Sequence, residues 1–331
     1  MVYVPNTFYK EIKAMANTTF KNPMNFNTAD PVIVYYEGKY YCYGTNAGDG
    51  YRVFSSPDLT NWTDEGHVFR KYEGFVGVDC FWAPEVYYHN GKFIMAFSCR
   101  NENKRHSIYI ATSDSPTGPF VDVCKGQPLF APDYSVIDAN LLFDDDGRTY
   151  MYYSKDCSTN IVNGIHESHI YVVELSSDLT KVLTEPVFCT CPDHDWEKKS
   201  GDGWRWNEGP CAFKRNGIYY LMYTANFYQT VHYAVGYATA TSPTGPFVKS
   251  PSNPILTSDG ISTMGTGHNN YFFSPDKTQM YTVYHSLKNK KDCKEGRVPN
   301  IDLMVFDEKG NLSIKGPTVT DQPLPSGTKI D

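Results

Sequence analysis

The sequence predicts an all-β fold, a five-bladed β-propeller with four antiparallel strands in each blade. Three observations lead there. A unit of strand, tight turn and aromatic strand recurs five times along the 331 residues. Four of the five turns end in glycine, at Glu37-Gly38, Asn90-Gly91, Asp146-Gly147 and Asn216-Gly217; the fifth is Pro275-Asp276. Such pairs between apolar runs mark hairpins, because the primed turns need positive φ. The composition agrees: 26 Tyr, 19 Phe, 25 Gly and 21 Pro favour strands and turns over helix bundles.

The copies are Ala29 to Thr45, Phe81 to Ser98, Ile137 to Ser154, Trp206 to Thr224 and Gly265 to Ser286. Each closes on an aromatic strand, such as Lys39-Tyr40-Tyr41-Cys42-Tyr43 in the first and Ile218-Tyr219-Tyr220-Leu221-Met222-Tyr223 in the fourth. A further pair of strands follows each hairpin. In copies two and four it carries the same hexapeptide, Ser-Pro-Thr-Gly-Pro-Phe, starting at Ser115 and Ser242. Copies one and three share Ser-x-Asp-Leu-Thr instead, at Ser56 and Ser176. Four strands in each of five copies make a propeller, read as one domain over residues 1–331 with blades starting near 30, 82, 137, 206 and 265. A β-sandwich would leave the spacing unexplained: successive turn glycines are 53, 56 and 70 residues apart, one four-stranded blade plus loops. The largest insertion, Cys189 to Trp206, leads into copy four.

With 40% hydrophobic and 20% charged residues the composition is that of a globular chain. A net charge of -7 argues against a nucleic-acid surface, which needs basic residues to displace counterions, and leaves neutral ligands such as sugars open. No apolar run has the length of a membrane span. Lys10, Glu11 and Lys13 interrupt any apolar core of a signal peptide, and nine cysteines without CxxC spacing read as thiols of a reducing compartment. A cytoplasmic protein is therefore expected, in which the sequons at Asn17, Asn61 and Asn311 go unused.

The first strands of the copies open with acidic residues at similar places: Asp30 in copy one, Asp138 in copy three and Glu208 in copy four. Asp30 precedes its turn glycine by eight residues, Asp138 and Glu208 by nine. Equivalent positions of a propeller form a ring about its axis, so three carboxylates should meet at one end of a funnel. Folding does not ask for that, since like charges in a low-dielectric pocket are costly. A cluster whose members push their pKa values apart suits acid–base chemistry. Each residue alone has a plain reading as strand start or loop; three in register favour function. Copy two offers Trp82-Ala83-Pro84-Glu85, with Glu85 lining the funnel or bonding to a neighbouring blade, and copy five offers His268. The acidic run Asp144-Asp145-Asp146-Gly147 lacks the alternating ligands of a calcium loop and reads as a turn.

Together, Ala29-Asp30-Pro31, Trp82-Ala83-Pro84-Glu85, Ile137-Asp138-Ala139, Asn207-Glu208-Gly209-Pro210, Gly265-Thr266-Gly267-His268 and Gly296-Arg297 resemble glycoside hydrolase family 43, the five-bladed propeller arabinofuranosidases, xylosidases and arabinanases. The likeness covers about Asp30 to Ile314. It implies Asp30 as general base, Glu208 as general acid and Asp138 as the residue that orients the acid and, by like-charge repulsion, raises its pKa. It implies Arg297 as the arginine of the innermost sugar subsite, and His268 as an axial histidine that meets a calcium ion through water. No cofactor is needed for the chemistry. The Asn-Asp-Pro-Asn-Gly and Glu-Cys motifs of the related fructan-splitting propellers are missing, and only a Pro-rich stretch follows from Pro317, without the β-sandwich of many xyloside-cleaving members.

The expected activity is inverting and exo-acting on short oligosaccharides, an α-L-arabinofuranosidase, with β-xylosidase or both activities as the alternative. Trp82, Trp204, Trp206, Phe227 and Tyr228 are candidate stacking faces, though each also reads as blade packing. A non-catalytic lectin propeller would repeat one pocket in every blade; this ring differs blade by blade. A phosphorolytic enzyme would need a cationic cluster, for which Arg297, Arg100 and Arg105 are the available residues.

Overall fold

The computed structural model describes residues 18–201 and 203–329. Lys10, Glu11, Lys13 and the sequon residue Asn17 lie outside the described residues.

Alternation along the aromatic strands builds the fold. In blade 2, Phe93, Met95 and Phe97 pack against blade 1 while Ile94 and Ala96 pack against blade 3. In blade 3, Met151 and Tyr153 face blade 2, and Tyr150 and Tyr152 face blade 4. Side chains two apart share a face, so a strand apolar at every position serves two interfaces at once. The buried core accordingly divides into five clusters, one between each pair of neighbouring blades. The first strands of the blades touch their neighbours all the way round, including blade 5 against blade 1, which closes the ring.

Each blade has four antiparallel strands in chain order. Blade 1 comprises Ala29–Tyr36, Lys39–Thr45, Gly50–Ser56 and Thr63–Arg70. Blade 2 comprises Gly77–His89, Lys92–Asn101, His106–Ser113 and Val121–Asp122. Blade 3 runs Val136–Phe143, Thr149–Lys155, His169–Leu175 and Val187–Thr190; blade 4 runs Asn207–Arg215, Ile218–Ala225, Ala234–Ala240 and Val248–Lys249. Gly267–Phe273, Met280–Leu287, Arg297–Phe306 and Leu312–Ile314 form blade 5. Leu256–Thr257 adds to the third strand of blade 4. Among the described residues the only helical pieces are single 3₁₀ turns at Asp195–Glu197 and Cys293–Glu295, and no helix is long and apolar enough to cross a membrane.

The repeated motifs tie blades together. Tyr43 of blade 1 donates its hydroxyl to Pro116 O at 2.6 Å, and Tyr152 of blade 3 donates to Pro243 O at 2.5 Å, each inside a Ser-Pro-Thr-Gly-Pro-Phe turn of the next blade. The acidic run of blade 3 is a turn, as expected: Asp144 accepts from Lys214 Nζ at 2.8 Å and the Tyr219 hydroxyl at 2.6 Å, both on blade 4. The two ends of the described chain clasp each other. Thr19–Phe20 pairs with Gln322–Pro323, and the Asn22 side chain bonds the backbone of Ile301 twice, at 2.7 and 2.9 Å. Between Cys157 and Trp206 the chain forms a separate three-stranded sheet of Ile161–Val162, Ile165–Glu167 and Trp204–Arg205. The nine cysteines are all free thiols.

Candidate active site

Every blade bends its first strand in the same way. The pairing with the second strand is interrupted after Ala29, Trp82, Ile137, Glu208 and Gly267, and the next residue has positive φ: Asp30 at 51°, Ala83 at 43°, Asp138 at 58°, Gly209 at 57° and His268 at 50°. A non-glycine residue held in this region marks strain that the surrounding structure has to impose. These five positions form the ring at the mouth of the funnel. Asp30, Asp138 and His268 are in register, but Glu208 is not: it stands one residue earlier, at the level of Ala29, Trp82, Ile137 and Gly267. The count to the turn glycine misleads because blade 3 turns through five residues, Asp144 to Arg148, where blades 1, 2 and 4 use two. The ring therefore reads Asp, Ala, Asp, Gly, His.

A second ring lies opposite. Thr45, Ser98, Ser154, Thr224 and His285 occupy the same position on the five second strands. Three of them accept the N–H of the strained residue in the next blade: Thr45 Oγ1 from Ala83 at 2.8 Å, Thr224 Oγ1 from His268 at 2.9 Å, and His285 Nδ1 from Asp30 at 3.2 Å. At the junction of blades 3 and 4 the pattern changes. Gly209 N–H goes to Asp138 Oδ2 at 3.1 Å, and the buried Ser154 hydroxyl is left without a partner.

Three residues of the first ring, Asp30, Asp138 and His268, border a cavity of about 530 Å³. Asp30, Asp138, Glu208, Trp82, Trp206, Phe227, Arg297 and His268 all line it. Glu85 does not. It lies a level deeper, equivalent to Val32 and Asn140, buried on the axis, where it accepts a hydrogen bond from Asn270 Nδ2. Burial, then Asp138, holds the Glu85 carboxyl well above its usual range, so the reading of Glu85 as a substrate-contacting residue of the funnel lining gives way to a bond across to blade 5.

Asp30 is held from four sides. Its Oδ1 accepts from Arg297 Nη1 at 2.8 Å and lies 3.3 Å from His285 Nδ1 and 3.4 Å from His268 Nδ1; its Oδ2 accepts from Thr45 Oγ1 at 2.6 Å. Burial pushes its pKa up, but Arg297, followed by His268, outweighs that and holds the carboxyl well below the usual range. Burial, then Arg297, keeps His285 neutral by pushing it down to about 3. Glu208 is the converse. Burial, then the carboxylates Asp138, Asp156 and Asp30, drives its pKa well above the usual value. Repulsion from Asp138 contributes, but burial is the larger cause, and Asp138 is itself raised to about 6, first by burial. The Tyr233 hydroxyl donates to Glu208 Oε1 at 3.2 Å. An oxygen that accepts this bond is the poorer seat for the acid proton, which leaves Oε2 to carry it. A Cβ at Gly267 would come within 2.4 Å of Thr224 Cγ2 and 2.5 Å of the Tyr233 ring, so only glycine leaves room for that tyrosine.

The arrangement thus pairs an ionised carboxylate with a protonated carboxylic acid in one pocket. Sequence reasoning missed Tyr233, His285, Asp156 and His106. Of these only His285 had a signal, its place in the ring of second-strand residues. His106 lies under Trp82, ring centroids 4.3 Å apart, and burial pushes it down to about 4. His268 bonds Thr224 through its N–H, lies against Asp30, and stacks on His285 with ring centroids 6.1 Å apart. Among the described residues the grouping with three metal-ligand atoms close together is elsewhere, at Asp193, His194 and Glu197, and Lys249 already lies 2.7 Å from Glu197 and 2.5 Å from Asp193.

This fold and pocket are those of a propeller glycosidase, and comparison with known proteins names the family. Residues 20–312 match the family model for glycosyl hydrolases family 43, and the chain belongs to that family. It is an O-glycoside hydrolase. It is 30% identical over 305 residues to a β-D-galactofuranosidase, XynD, of Aspergillus niger, covering 86% of this chain and 81% of that one. It is 28% identical to an arabinoxylan arabinofuranohydrolase of Paenibacillus polymyxa over 86% of this chain, but spans only about half (49%) of that relative's length. Among solved structures, a thermostable family-43 glycoside hydrolase is 42% identical with a TM-score of 0.87, covering 93% of this chain and 99% of that one. A structure described as an endo-1,4-β-xylanase of Bacteroides thetaiotaomicron is 34% identical with a TM-score of 0.77 over the same shares.

Proposed function

We propose that the chain is an exo-acting, inverting α-L-arabinofuranosidase, with Asp30 as general base, Glu208 as general acid, and Asp138 holding the strand that carries the acid. The observation that carries this reading is the opposed surroundings of Asp30 and Glu208 in one cavity, a guanidinium bonded to the first and other carboxylates beside the second. Asp30, ionised, takes a proton from water as the water attacks the anomeric carbon; Glu208 gives its proton from Oε2 to the departing glycosidic oxygen. Arg297, already on Asp30, is placed to hold a sugar hydroxyl beside the base, and Trp82 to cover a sugar face. Two of the relatives' names, the β-D-galactofuranosidase and the arabinoxylan arabinofuranohydrolase, favour a furanoside, and the structure described as an endo-1,4-β-xylanase favours a xyloside; α-L-arabinofuranose and β-D-galactofuranose share the arrangement of ring hydroxyls and differ in the exocyclic arm. β-Xylosidase activity is the alternative at the same site.

The chemistry needs no metal. A calcium ion held through water at His268 would be a structural addition on the axis. Chelation tests it: the melting temperature falls and calcium restores it if the ion is there. We place the enzyme in the cytoplasm, acting on imported short oligosaccharides, a reading that the nine free thiols support. A screen of aryl α-L-arabinofuranoside, β-D-xyloside and β-D-galactofuranoside decides the sugar. The reading expects the arabinofuranoside to be cleaved best, and no release from any furanoside would overturn it.

A further inference from the structure

An unbroken run of aromatic rings leads from Arg297, in the pocket, to Trp204, outside its lining. The Arg297 guanidinium lies 4.7 Å over Tyr228; Tyr228 meets Phe227 at 5.0 Å, Phe227 meets Trp206 at 5.4 Å, and Trp206 meets Trp204 at 6.2 Å with the rings within 20° of parallel. Trp206, Phe227 and Tyr228 line the cavity; Trp204 lies beyond it and is 41% exposed.

Trp204 is exposed on a built support. It stacks on His166 at 4.1 Å and 9°, and His166 Nδ1 is tied to Cys157 O at 2.8 Å. Its strand, Trp204–Arg205, pairs in parallel with Ile165–Glu167 in the extra sheet above blades 3 and 4. Beneath it, Arg205 Nη1 bonds Glu167 Oε1 at 3.0 Å, and His169 Nε2 lies 2.9 Å from Glu167 Oε2. An indole held rigid and left open forgoes burial that its size would reward. Holding it in place beforehand is what a stacking platform for sugar rings requires, because little further ordering is lost on binding.

We propose that Trp204, with Trp206, is a binding track for the leaving portion of the substrate, a neutral oligosaccharide chain that continues out of the pocket. The side is set by the chemistry assigned above, on which this inference rests. The acid protonates the glycosidic oxygen, so the sugar bonded to that oxygen lies beside Glu208. Trp204 and Trp206 stand four and two residues before Glu208, on the approach to its strand. The enzyme therefore recognises the chain that bears the terminal sugar as well as the sugar itself.

The test compares Trp204→Ala with wild type on two substrates, arabinose-substituted xylotetraose and a small aryl α-L-arabinofuranoside. The expected result is a rise of about tenfold in KM on the oligosaccharide, the size of one lost stacking contact, with the aryl substrate unchanged. Trp204→Phe should recover part of the loss. Equal KM for variant and wild type on the oligosaccharide would overturn the track, and so would an equal rise on both substrates, which marks a structural role. Titration of Glu208→Gln with xylotetraose, followed by tryptophan fluorescence, decides the track apart from catalysis: binding weakened by added Trp204→Ala supports it, and unchanged binding overturns it. Failure of the chemistry would show separately, as wild-type enzyme that releases no sugar from any aryl glycoside.

Discussion

Asp30 and Glu208 are both carboxylic side chains, and their surroundings separate them. Arg297 and His268 favour the ionised form of one, while burial and three neighbouring carboxylates favour the protonated form of the other. Asp30→Asn and Glu208→Gln should each lower kcat on an oligosaccharide by about a thousandfold, the usual range for loss of a proton-transfer group, with the circular dichroism unchanged. On an aryl glycoside whose leaving group needs no proton, Glu208→Gln should recover most of its rate and Asp30→Asn should not. Tyr233 gives a finer test. Its bond favours the ionised form of Glu208, so Tyr233→Phe should raise the acid's pKa and carry the alkaline limb of the pH–kcat profile upward. Asp138, Asp156 and Asp30 still face the acid in that variant, and the direction is unopposed. A limb that stays in place would take Tyr233 out of this role. These contacts were hard to read from sequence because each joins residues from distant places in the chain, as with Asp30 and His285, 255 residues apart.

The blades differ in how they hold the strained residue of the next one, and that difference is measurable. Thr45 both donates to Asp30 and accepts from Ala83. Thr45→Val keeps the shape but leaves a buried N–H and a carboxylate oxygen unpaired, which should cost about 1–3 kcal/mol in urea unfolding. Ser154, at the same place in blade 3, has an idle hydroxyl. Ser154→Ala should stay within about 0.5 kcal/mol of wild type, and a large loss there would contradict the idea that Asp138 has taken over its task. Elements of this kind were legible wherever a period of two or a turn dipeptide marked them, hence the strands and hairpins. The position of Glu208 was not, because the longer turn of blade 3 shifts the count by one residue. Nor was the sheet under Trp204, whose strands of two and three residues are too short to show a period.

At the scale of the molecule, five similar blades carry a site that uses each of them differently, and the ring has to be closed for the site to exist. Closure rests on the packing of blade 5 against blade 1, and the clasp between the two ends of the described chain adds to it. Asn22→Ala removes two buried bonds to Ile301 and should cost about 2 kcal/mol while leaving KM unchanged in the folded fraction. Repetition made the propeller readable from sequence, since aromatic strands alternating between two interfaces recur in every copy. It does not by itself give the reaction, which depends on how carboxylates from different blades face one another. Asp30 and Glu208 come from blades 1 and 4, which are not neighbours in a ring of five, and both line one cavity; the inverting reading proposed above requires that they leave room between them for the sugar and a water. The central claim is therefore that water attacks directly. An NMR time course of the first-formed sugar tests it. The expected product has the anomeric configuration opposite to that of the substrate, appearing before mutarotation. Retained configuration, or a glycosyl ester trapped on Asp30, would contradict it and make Asp30 a nucleophile.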